Sequence, residues 1–332
     1  MCYTLFHCFP SPAPGRKGNS SQNQNSLVSP PDRRGNQEIP YENSREKGKC
    51  PVKVMISADS TCDLTPELIE KYNIGITPLY IVMNGKSYRD GIEVRPESIY
   101  ARVSGGGEIP STAAVSVDDY LTFFKMRLEE CDAVVHLHIS SEMSACWQNA
   151  SIAARELGHV FPVDSRNLST GIGHLVLDAA EMAAEGMDAE TIFLELERRK
   201  AKLNVSFLVD TLAYLRKGGR CSAMTAMGAN LLNLKPCIEV HGGKMDVGKK
   251  YRGHIEKCLL QYVHDRLDSR DDIDTKRIFI TDSGGLSDET RLAVEREVRR
   301  CQPFEEVIHT RAGCTVSNHC GPGTLGILYY NK

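Results

Sequence analysis

Short apolar runs alternate with amphipathic stretches through the first half of the chain, and this alternation is what most constrains the fold. Four runs have the length and apolar content of buried strands, at residues 52–58, 76–83, 133–139 and 160–164. Three stretches between them have helical spacing and helix-start residues, at 66–72, 116–130 and 144–157. Such alternation is typical of a parallel sheet that is covered by helices on both faces.

The second half of the chain mixes the two element types less regularly. Helices are predicted at residues 175–185, 189–203, 223–232, 255–267 and 288–300, and strands at 205–209, 236–240, 277–281, 306–310 and 326–330. Gly242 and Gly243 predict the turn of a hairpin. The predicted fold class is therefore α/β, with a parallel-sheet domain over residues 51–165 followed by a mixed α/β domain over 166–332.

Residues 1–50 differ in composition from the rest of the chain. Ser, Asn, Gln, Gly, Pro and charged residues dominate there, without apolar periodicity, and the segment is predicted to be a disordered leader. Its short apolar start lacks the basic region of a signal peptide.

Charge and hydrophobicity exclude several classes of function. The net charge of the 332 residues is only −3, which gives no electrostatic basis for binding nucleic acid. No run approaches the ~18 apolar residues that a membrane span needs, so stable membrane insertion is not expected. The twelve cysteines are scattered, which favours free thiols in a reducing cytoplasm. No metal site is predicted, since there is no Cys-x-x-Cys pair.

Small and hydroxyl-bearing residues concentrate in six loops that follow predicted strands or lie beside helix ends. These loops are residues 57–63, 109–112, 139–144, 163–165, 217–222 and 319–323. The carboxyl ends of parallel strands lie at one edge of a sheet, so the first-half loops should gather there. Short hydroxyls and backbone N–H groups can donate to a carboxylate. Asp59 and Asp63 are expected to bond to the backbone and hold this edge in shape, while Ser116 and Ser144 are expected to cap helices.

The order of these motifs over residues 52–330 resembles the DegV family of bacterial fatty-acid-binding proteins. The resemblance rests on Asp-Ser-x-x-Asp-Leu at 59–64, Ser-Ser-x-x-Ser at 140–144, Asp-Ser at 164–165, the stretch 210–215 with Gly-Gly-Arg at 218–220, Lys-Pro at 235–236 and His-x-Gly-Pro-Gly at 319–323. One motif departs from the family pattern. Where the family usually has Thr-Ser-Gln-Pro-Ser, residues 112–116 are Thr-Ala-Ala-Val-Ser.

The resemblance implies a ligand, a site and a partner. The ligand would be a long-chain fatty acid such as palmitate or oleate, bound between the two domains without a cofactor. Its carboxylate would be held by Thr112 or the neighbouring Ser111, and by Ser141 or the neighbouring Ser140. The family pattern also brings in His319, and Arg220 is a candidate because two glycines precede it. A separate fatty-acid kinase would phosphorylate the bound acid, and this chain would have no catalytic activity of its own.

Several questions stay open at the level of sequence. An acyl tail needs an apolar tunnel, and each candidate wall residue could equally be plain core: Ile76, Leu79, Ile81, Leu137, Ile139, Met224, Met227, Leu231 and Leu232. The main alternative function is a serine-dependent acyl hydrolase built from Ser140 or Ser141 with His319 and an Asp, although no Gly-x-Ser-x-Gly elbow is present. A phosphate-binding enzyme lacks a P-loop, and a purely structural or regulatory module is the third alternative.

Overall fold

Four parallel strands form the first sheet of the structure, a computed structural model that describes residues 52–222 and 234–332. The strand order is β2-β1-β6-β7, and every neighbouring pair is parallel. The strands are β1 (Val54–Asp59), β2 (Gly75–Thr77), β6 (Ala133–His138) and β7 (Val160–Asp164). The predicted parallel sheet is confirmed.

Helices cover both faces of this sheet. All six residues of β6 are buried, although successive side chains of a strand point to opposite faces. The covering helices are α3 (Val117–Leu128), α4 (Cys146–Leu157), α5 (Thr170–Ala184) and α6 (Ala189–Arg199). Helix α3 packs on α4, and α5 packs on α6.

Two of the predicted helix starts are found in the structure. Thr65 accepts the N–H of Leu68 at the start of α1 (Pro66–Lys71), which has proline at its first position. Ser116 caps α3 in a reciprocal capping box with Asp119.

One predicted strand, at 76–83, is wrong as a single element. It divides into β2 and β3 (Tyr80–Met83), which lie in different sheets. Pro78 lies between them and has no N–H to continue the first ladder. Strand β3 instead forms a three-stranded antiparallel sheet with β4 (Lys86–Arg89) and β5 (Ser111–Ala113). Helix α2 (Pro96–Ser104), between β4 and β5, was not predicted.

The second half of the chain builds a six-stranded sheet. Its strands are β8 (Leu203–Leu208), β9 (Leu234–His241), β10 (Lys244–Arg252), β11 (Ile273–Asp282), β12 (Glu306–Arg311) and β13 (Leu325–Asn331). The order is β10-β9-β8-β13-β11-β12, with β11 and β12 parallel and all other neighbours antiparallel. The predicted mixed architecture is therefore confirmed, as is the hairpin that turns at Gly242 and Gly243.

Helix α5 lies between the two sheets and is buried along nearly its whole length. Its glycines allow this close packing. A Cβ atom at Gly171 would lie 2.9 Å from the side chain of Val205 in β8, and one at Gly173 would lie 3.0 Å from the carbonyl of Cys62 beside β1. The predicted start of α5, at residue 175, is five residues too late. Gly171 and Gly173 lie in the first turn, and glycine has a low helix propensity.

The other face of the six-stranded sheet is covered by α8 (Ile255–Leu267) and α9 (Asp288–Cys301), close to their predicted bounds. The short helix α7 (Ala213–Gly218) ends at Gly-Gly-Arg, where an apolar helix was expected to end, whereas the short helix α10 (Cys314–Cys320) was not predicted. The helix predicted at 223–232 and the leader lie outside the described residues, and the division at residue 165 stays a prediction. Within 52–222 and 234–332, no helix is both long and apolar enough to cross a membrane.

Candidate functional site

A cavity of about 280 Å³ opens where the edge of the first sheet meets α10 and the β9–β10 hairpin. Residues on both sides of position 165 form its wall. The lining residues are Leu79, Thr112, Ala113, Ala114, Ile139, Met143, Ser144, Ala145, Leu168, Arg220, Met245, Thr315, Val316, His319 and Cys320. Most of these side chains are apolar, and the polar ones are hydroxyls, one imidazole and one guanidinium.

Helix α10 supplies one wall of the cavity, and buried aspartates from the first half hold its first turn. Asp63 accepts the N–H of Gly313 at 2.8 Å. Asp90 accepts the N–H groups of Cys314 at 2.8 Å and of Thr315 at 3.0 Å. These are the unpaired donors that every helix leaves at its N-terminus, and carboxyl oxygens can accept from them.

Asp59 has a matching role at the sheet edge. It accepts the N–H of Thr61 at 3.0 Å and that of Ile139 at 2.8 Å. This confirms the expectation that Asp59 and Asp63 bond to the backbone and shape this edge. Burial raises the pKa of Asp59 to about 6 and that of Asp63 to about 8.

Thr112 and His319 meet across the cavity. The Thr112 Oγ1 lies 2.9 Å from the His319 Nε2. The other ring nitrogen, Nδ1, is buried and has no hydrogen-bond partner among residues 52–222 and 234–332, and it lies against Gly218, where a Cβ atom would overlap it. Burial, followed by the nearby Arg220 guanidinium, lowers the pKa of His319 to about 4, so the ring is neutral at pH 7.

The tautomer of His319 follows from these surroundings. A neutral ring carries one N–H, and a buried N–H without an acceptor is costly. We therefore assign the proton to Nε2, which donates it to Thr112. The hydroxyl proton of Thr112 is then free to be donated to a ligand.

Arg220 supplies positive charge at the cavity. Its side chain is exposed, its Nη1 donates to the carbonyl of Gly218 at 2.7 Å, and its Nε donates to that of Met143 at 3.4 Å. Among residues 52–222 and 234–332, no carboxylate forms an ion pair with it. A guanidinium has five N–H donors, so donors remain for an anionic ligand.

Ser144 also lines the cavity, and sequence reasoning gave it a different role. The N-cap of α4 is Ala145, without a side-chain bond, so the prediction that Ser144 caps this helix is wrong. The Ser144 hydroxyl lies 3.2 Å from the thiol of Cys146 and accepts the N–H of that residue at 3.4 Å. The signal available in the sequence was its place as the last serine of the Ser-Ser-x-x-Ser loop.

Three of the predicted site residues do not line the cavity. Ser111 is exposed on β5. Ser140 is buried and donates to the carbonyl of Gly243 at 2.7 Å. Ser141 donates to Asp164 at 2.6 Å and accepts from Arg166 at 3.1 Å. The structure thus brings together Thr112, Arg220 and His319, and whether the other three contact a ligand stays a prediction.

Ser140 instead connects the first sheet to the hairpin directly, and Ser141 does so through Arg166. Besides the Ser140 bond, Arg166 donates to the carbonyl of Gly242, and Lys244 forms an ion pair with Glu142 at 3.4 Å. These contacts position β10, whose Met245 lines the cavity.

The apolar wall continues beyond the cavity. A second, smaller space of about 20 Å³ shares Leu168, Val316 and Cys320 with it and is bounded at depth by Phe207 and Leu328. Of the tunnel candidates, Leu79 and Ile139 line the cavity, Leu137, Ile76 and Ile81 pack in apolar clusters, and Met224, Met227, Leu231 and Leu232 lie outside the described residues.

A larger cleft of about 420 Å³ lies between α5, α6 and the six-stranded sheet, but its buried charges, Asp178 and Arg277, are already paired. Arg199 bonds to Asp178 at 3.0 Å, and Arg277 bonds to Glu181 at 2.6 Å. The apolar cavity with unpaired donors is therefore the better candidate site.

Comparison with known proteins agrees with the fold and the motifs. The family model described as "Uncharacterised protein, DegV family" matches residues 53–332. The chain belongs to the DegV family. A DegV domain-containing protein of Deinococcus radiodurans is 33% identical over 277 residues, covering 83% of this chain and 98% of the relative.

Two further DegV relatives carry a description of their ligand. A fatty acid-binding protein of Thermotoga maritima is 30% identical over 283 residues, covering 83% of this chain and 96% of its own. A structure described as fatty acid binding of a DegV family protein from Thermus thermophilus has a TM-score of 0.76 at 33% identity, covering 85% of this chain and 100% of that one. DegV structures thus include fatty-acid-binding proteins with this fold.

Proposed function

We propose that this DegV-family protein binds one long-chain fatty acid, such as palmitate or oleate, in the cavity. The observation that carries the proposal is that the cavity has polar residues in one part of its wall and apolar residues in another. Thr112, His319 and Arg220 offer donors and positive charge, whereas Leu168, Val316 and the other apolar residues line the interior. A fatty acid likewise has a polar carboxylate at one end and an apolar alkyl tail.

The tail provides most of the binding free energy. Each buried CH₂ contributes about 0.8 kcal/mol, so a long chain contributes on the order of 10 kcal/mol before the cost of association is subtracted. The tail points toward the small apolar space beside Leu168, Val316 and Phe207, which shares wall residues with the cavity.

The carboxylate is bound by a short series of donors. His319 Nε2 donates to Thr112, and Thr112 donates to a carboxylate oxygen, which polarises both bonds in the same sense. Arg220 neutralises the charge, and Ser144 lines the cavity with its hydroxyl bonded to Cys146. Ser140 and Ser141 act mainly by holding the loop and the hairpin through Gly243 and Asp164.

The protein's role is to present this ligand, and it needs no cofactor for it. We propose that a separate fatty-acid kinase phosphorylates the bound carboxylate and that the chain itself is not catalytic. A cytoplasmic location fits the free thiols, since the cysteines of the described residues form no disulfide.

For the hydrolase alternative, neither of the predicted serines is hydrogen-bonded to His319, the base that it would need. Ser141 bonds to Asp164, Ser140 bonds to a backbone carbonyl, and His319 bonds to Thr112. A Ser–His pair does occur at Ser57 and His136, 2.7 Å apart, but both residues are fully buried. A substrate could not reach them.

Mass spectrometry of organic extracts from the purified protein tests the proposal directly. We expect a fatty acid at about one equivalent, and a rise in the melting temperature when palmitate is added to delipidated protein. Extracts without fatty acid, together with no thermal shift, would contradict ligand binding. Ester hydrolysis by the isolated protein, lost in Ser141→Ala, would instead support the hydrolase.

A further inference from the structure

Three potential metal ligands, His264, Glu297 and Cys301, converge on the outer surface formed by α8 and α9, away from the cavity, and Asp268 lies beside His264. His264 and Asp268 follow each other with i, i+4 spacing at the end of α8, and Glu297 and Cys301 do so at the end of α9. Residues with this spacing lie on the same face of a helix. The two helices pack against each other, so the two pairs face one another.

The ligand atoms of His264, Glu297 and Cys301 all lie within 4.8 Å of one another, and two of their separations are close to the edges of a zinc tetrahedron. The His264 Nδ1 lies 3.8 Å from the Asp268 Oδ1 and 3.5 Å from the Glu297 Oε1. The Cys301 Sγ lies 3.6 Å from that same Oε1. Zinc binds nitrogen, oxygen and sulfur ligands at ~2.0–2.3 Å in a tetrahedron, whose edges are then roughly 3.3–3.8 Å.

A cationic group already lies among these four donors. The Arg300 Nη2 is 2.8 Å from the His264 Nδ1, 2.7 Å from the Glu297 Oε1, 3.4 Å from the Asp268 Oδ1 and 3.3 Å from the Cys301 Sγ. The environment therefore favours positive charge. The Arg300 side chain is 53% exposed, so it can move into solvent when another cation enters.

We propose that His264, Glu297 and Cys301 bind one zinc ion, which takes the place of the Arg300 guanidinium and joins α8 to α9, with Asp268 turning toward the ion as its fourth ligand. One nitrogen, two oxygens and one sulfur then make a four-ligand set of the structural kind. The Cys301 thiol binds as thiolate and releases its proton to solvent. The ion would stabilise the helical layer on the outer face of the six-stranded sheet, independently of the fatty-acid cavity.

This site could not be predicted from sequence spacing. The expectation of no metal rested on the absence of Cys-x-x-Cys spacing, whereas the two i, i+4 pairs are separated by a strand and a turn of the chain. Only the packing of α8 against α9 brings them together.

Cobalt(II), a spectroscopic substitute for zinc, tests the site in the full-length, reduced and metal-free protein. We expect tetrahedral cobalt bands with a thiolate-to-cobalt charge-transfer band that saturates at one equivalent and disappears when zinc is added. Cys301→Ser should remove the charge-transfer band, and both Cys301→Ser and His264→Ala should lower zinc affinity at least tenfold. Arg300→Ala should raise it, because the competing cation is gone.

Cys131→Ser is the matched control. Cys131 is also a half-buried cysteine near the end of a helix, and its thiol donates to the carbonyl of Arg127 at 3.1 Å. This variant should bind cobalt and zinc like the wild type. Zinc should also raise the melting temperature of the wild type and of Cys131→Ser, but not of Cys301→Ser. A charge-transfer band that survives in Cys301→Ser, or octahedral cobalt without such a band, would overturn the proposal.

Discussion

Thr112 and His319 are 207 positions apart in the chain, yet their Oγ1 and Nε2 atoms lie 2.9 Å apart. This bond joins β5, which belongs to the small antiparallel sheet, to α10, which connects strands β12 and β13 of the six-stranded sheet. Because both side chains line the cavity, the bond fixes the distance between two of its walls. It also sets which hydroxyl proton is available to a ligand.

Replacing Thr112 with valine should weaken fatty-acid binding while keeping the shape of the side chain. A hydrogen bond to a charged group contributes about 1.5–3 kcal/mol, so the Kd for palmitate should rise about tenfold or more. Titration calorimetry with delipidated protein measures this. Ser111→Ala is the control, because Ser111 is the exposed neighbour on the same strand and does not line the cavity. Equal losses in the two variants would argue against a specific contact from Thr112.

Gly218 should be needed for the same bond. A Cβ atom there would overlap the Nδ1 of His319, so Gly218→Ala should push the imidazole away from Thr112 and weaken palmitate binding several-fold. The backbone of Gly218 is helical, so the effect comes from the side chain and not from backbone strain. In the double variant with Thr112→Val, the loss of binding free energy should be smaller than the sum of the losses in the two single variants, because both changes act on one bond. Fully additive losses would show that Gly218 acts elsewhere.

Arg220 should discriminate between charged and neutral head groups. Arg220→Ala removes the positive charge that balances a carboxylate, so palmitate binding should weaken by tenfold or more. Hexadecanol has the same tail and no charge, so its affinity should change much less. Displacement of a fluorescent fatty acid measures both ligands in one assay. If the variant weakens both ligands equally, Arg220 shapes the cavity and does not pair with the carboxylate.

The helices and strands with regular patterns could be predicted from the sequence, because local periodicity determines them. Helices α3 and α8 are examples, since their apolar spacing and start residues are contained within each segment. Helix α10 could not be predicted. Its sequence, Cys-Thr-Val-Ser-Asn-His-Cys, is poor in helix-forming residues, and its first turn is stabilised by Asp63 and Asp90, more than 200 positions away.

The same distinction applies to the candidate site. Thr112, His319 and Arg220 belong to motifs, so a resemblance between motifs was enough to select them. Ser140 and Ser141 belong to such a motif too, but the direction of each hydroxyl depends on the partners Gly243 and Asp164, which come from other loops. Ser144 was assigned to a helix cap because the sequence could not show that α4 begins two residues later.

Asp63 should make stability decrease as the pH rises toward 8. Burial raises its pKa from 3.8 to about 8, so the folded protein holds a proton there that the unfolded chain has lost. The unfolded state binds fewer protons in this range, and the free energy of unfolding therefore falls by about 1.4 kcal/mol per pH unit from this group. Asn cannot ionise and can bond to both Gly313 and Ser169. The wild type should lose stability relative to Asp63→Asn between pH 5 and 8 in urea titrations, and a constant difference would contradict the raised pKa.

His174 should have the opposite dependence, on the acid side. Its ring is fully buried between α5 and the six-stranded sheet, and the Nε2 lies 2.9 Å from the carbonyl of Leu328. Burial lowers the pKa of His174 from 6.5 to about 3, so between these values the unfolded chain takes up a proton that the folded protein does not. The contribution of His174 to the free energy of unfolding has its full value above pH 6.5 and is lost as the pH falls toward 3.

His174→Gln isolates this contribution, since the amide can still donate to Leu328 and does not titrate. The variant should be less stable than the wild type at pH 7.5, where it loses only packing. Between pH 6.5 and 5, the difference in the free energy of unfolding between wild type and variant should shrink by about 2 kcal/mol, at about 1.4 kcal/mol per pH unit. Only the wild type is destabilised by acid through this residue. Asp63 and Asp59 are present in both proteins, so their opposite dependence cancels. Parallel curves of unfolding free energy against pH would show that His174 has the same pKa in the folded and unfolded states.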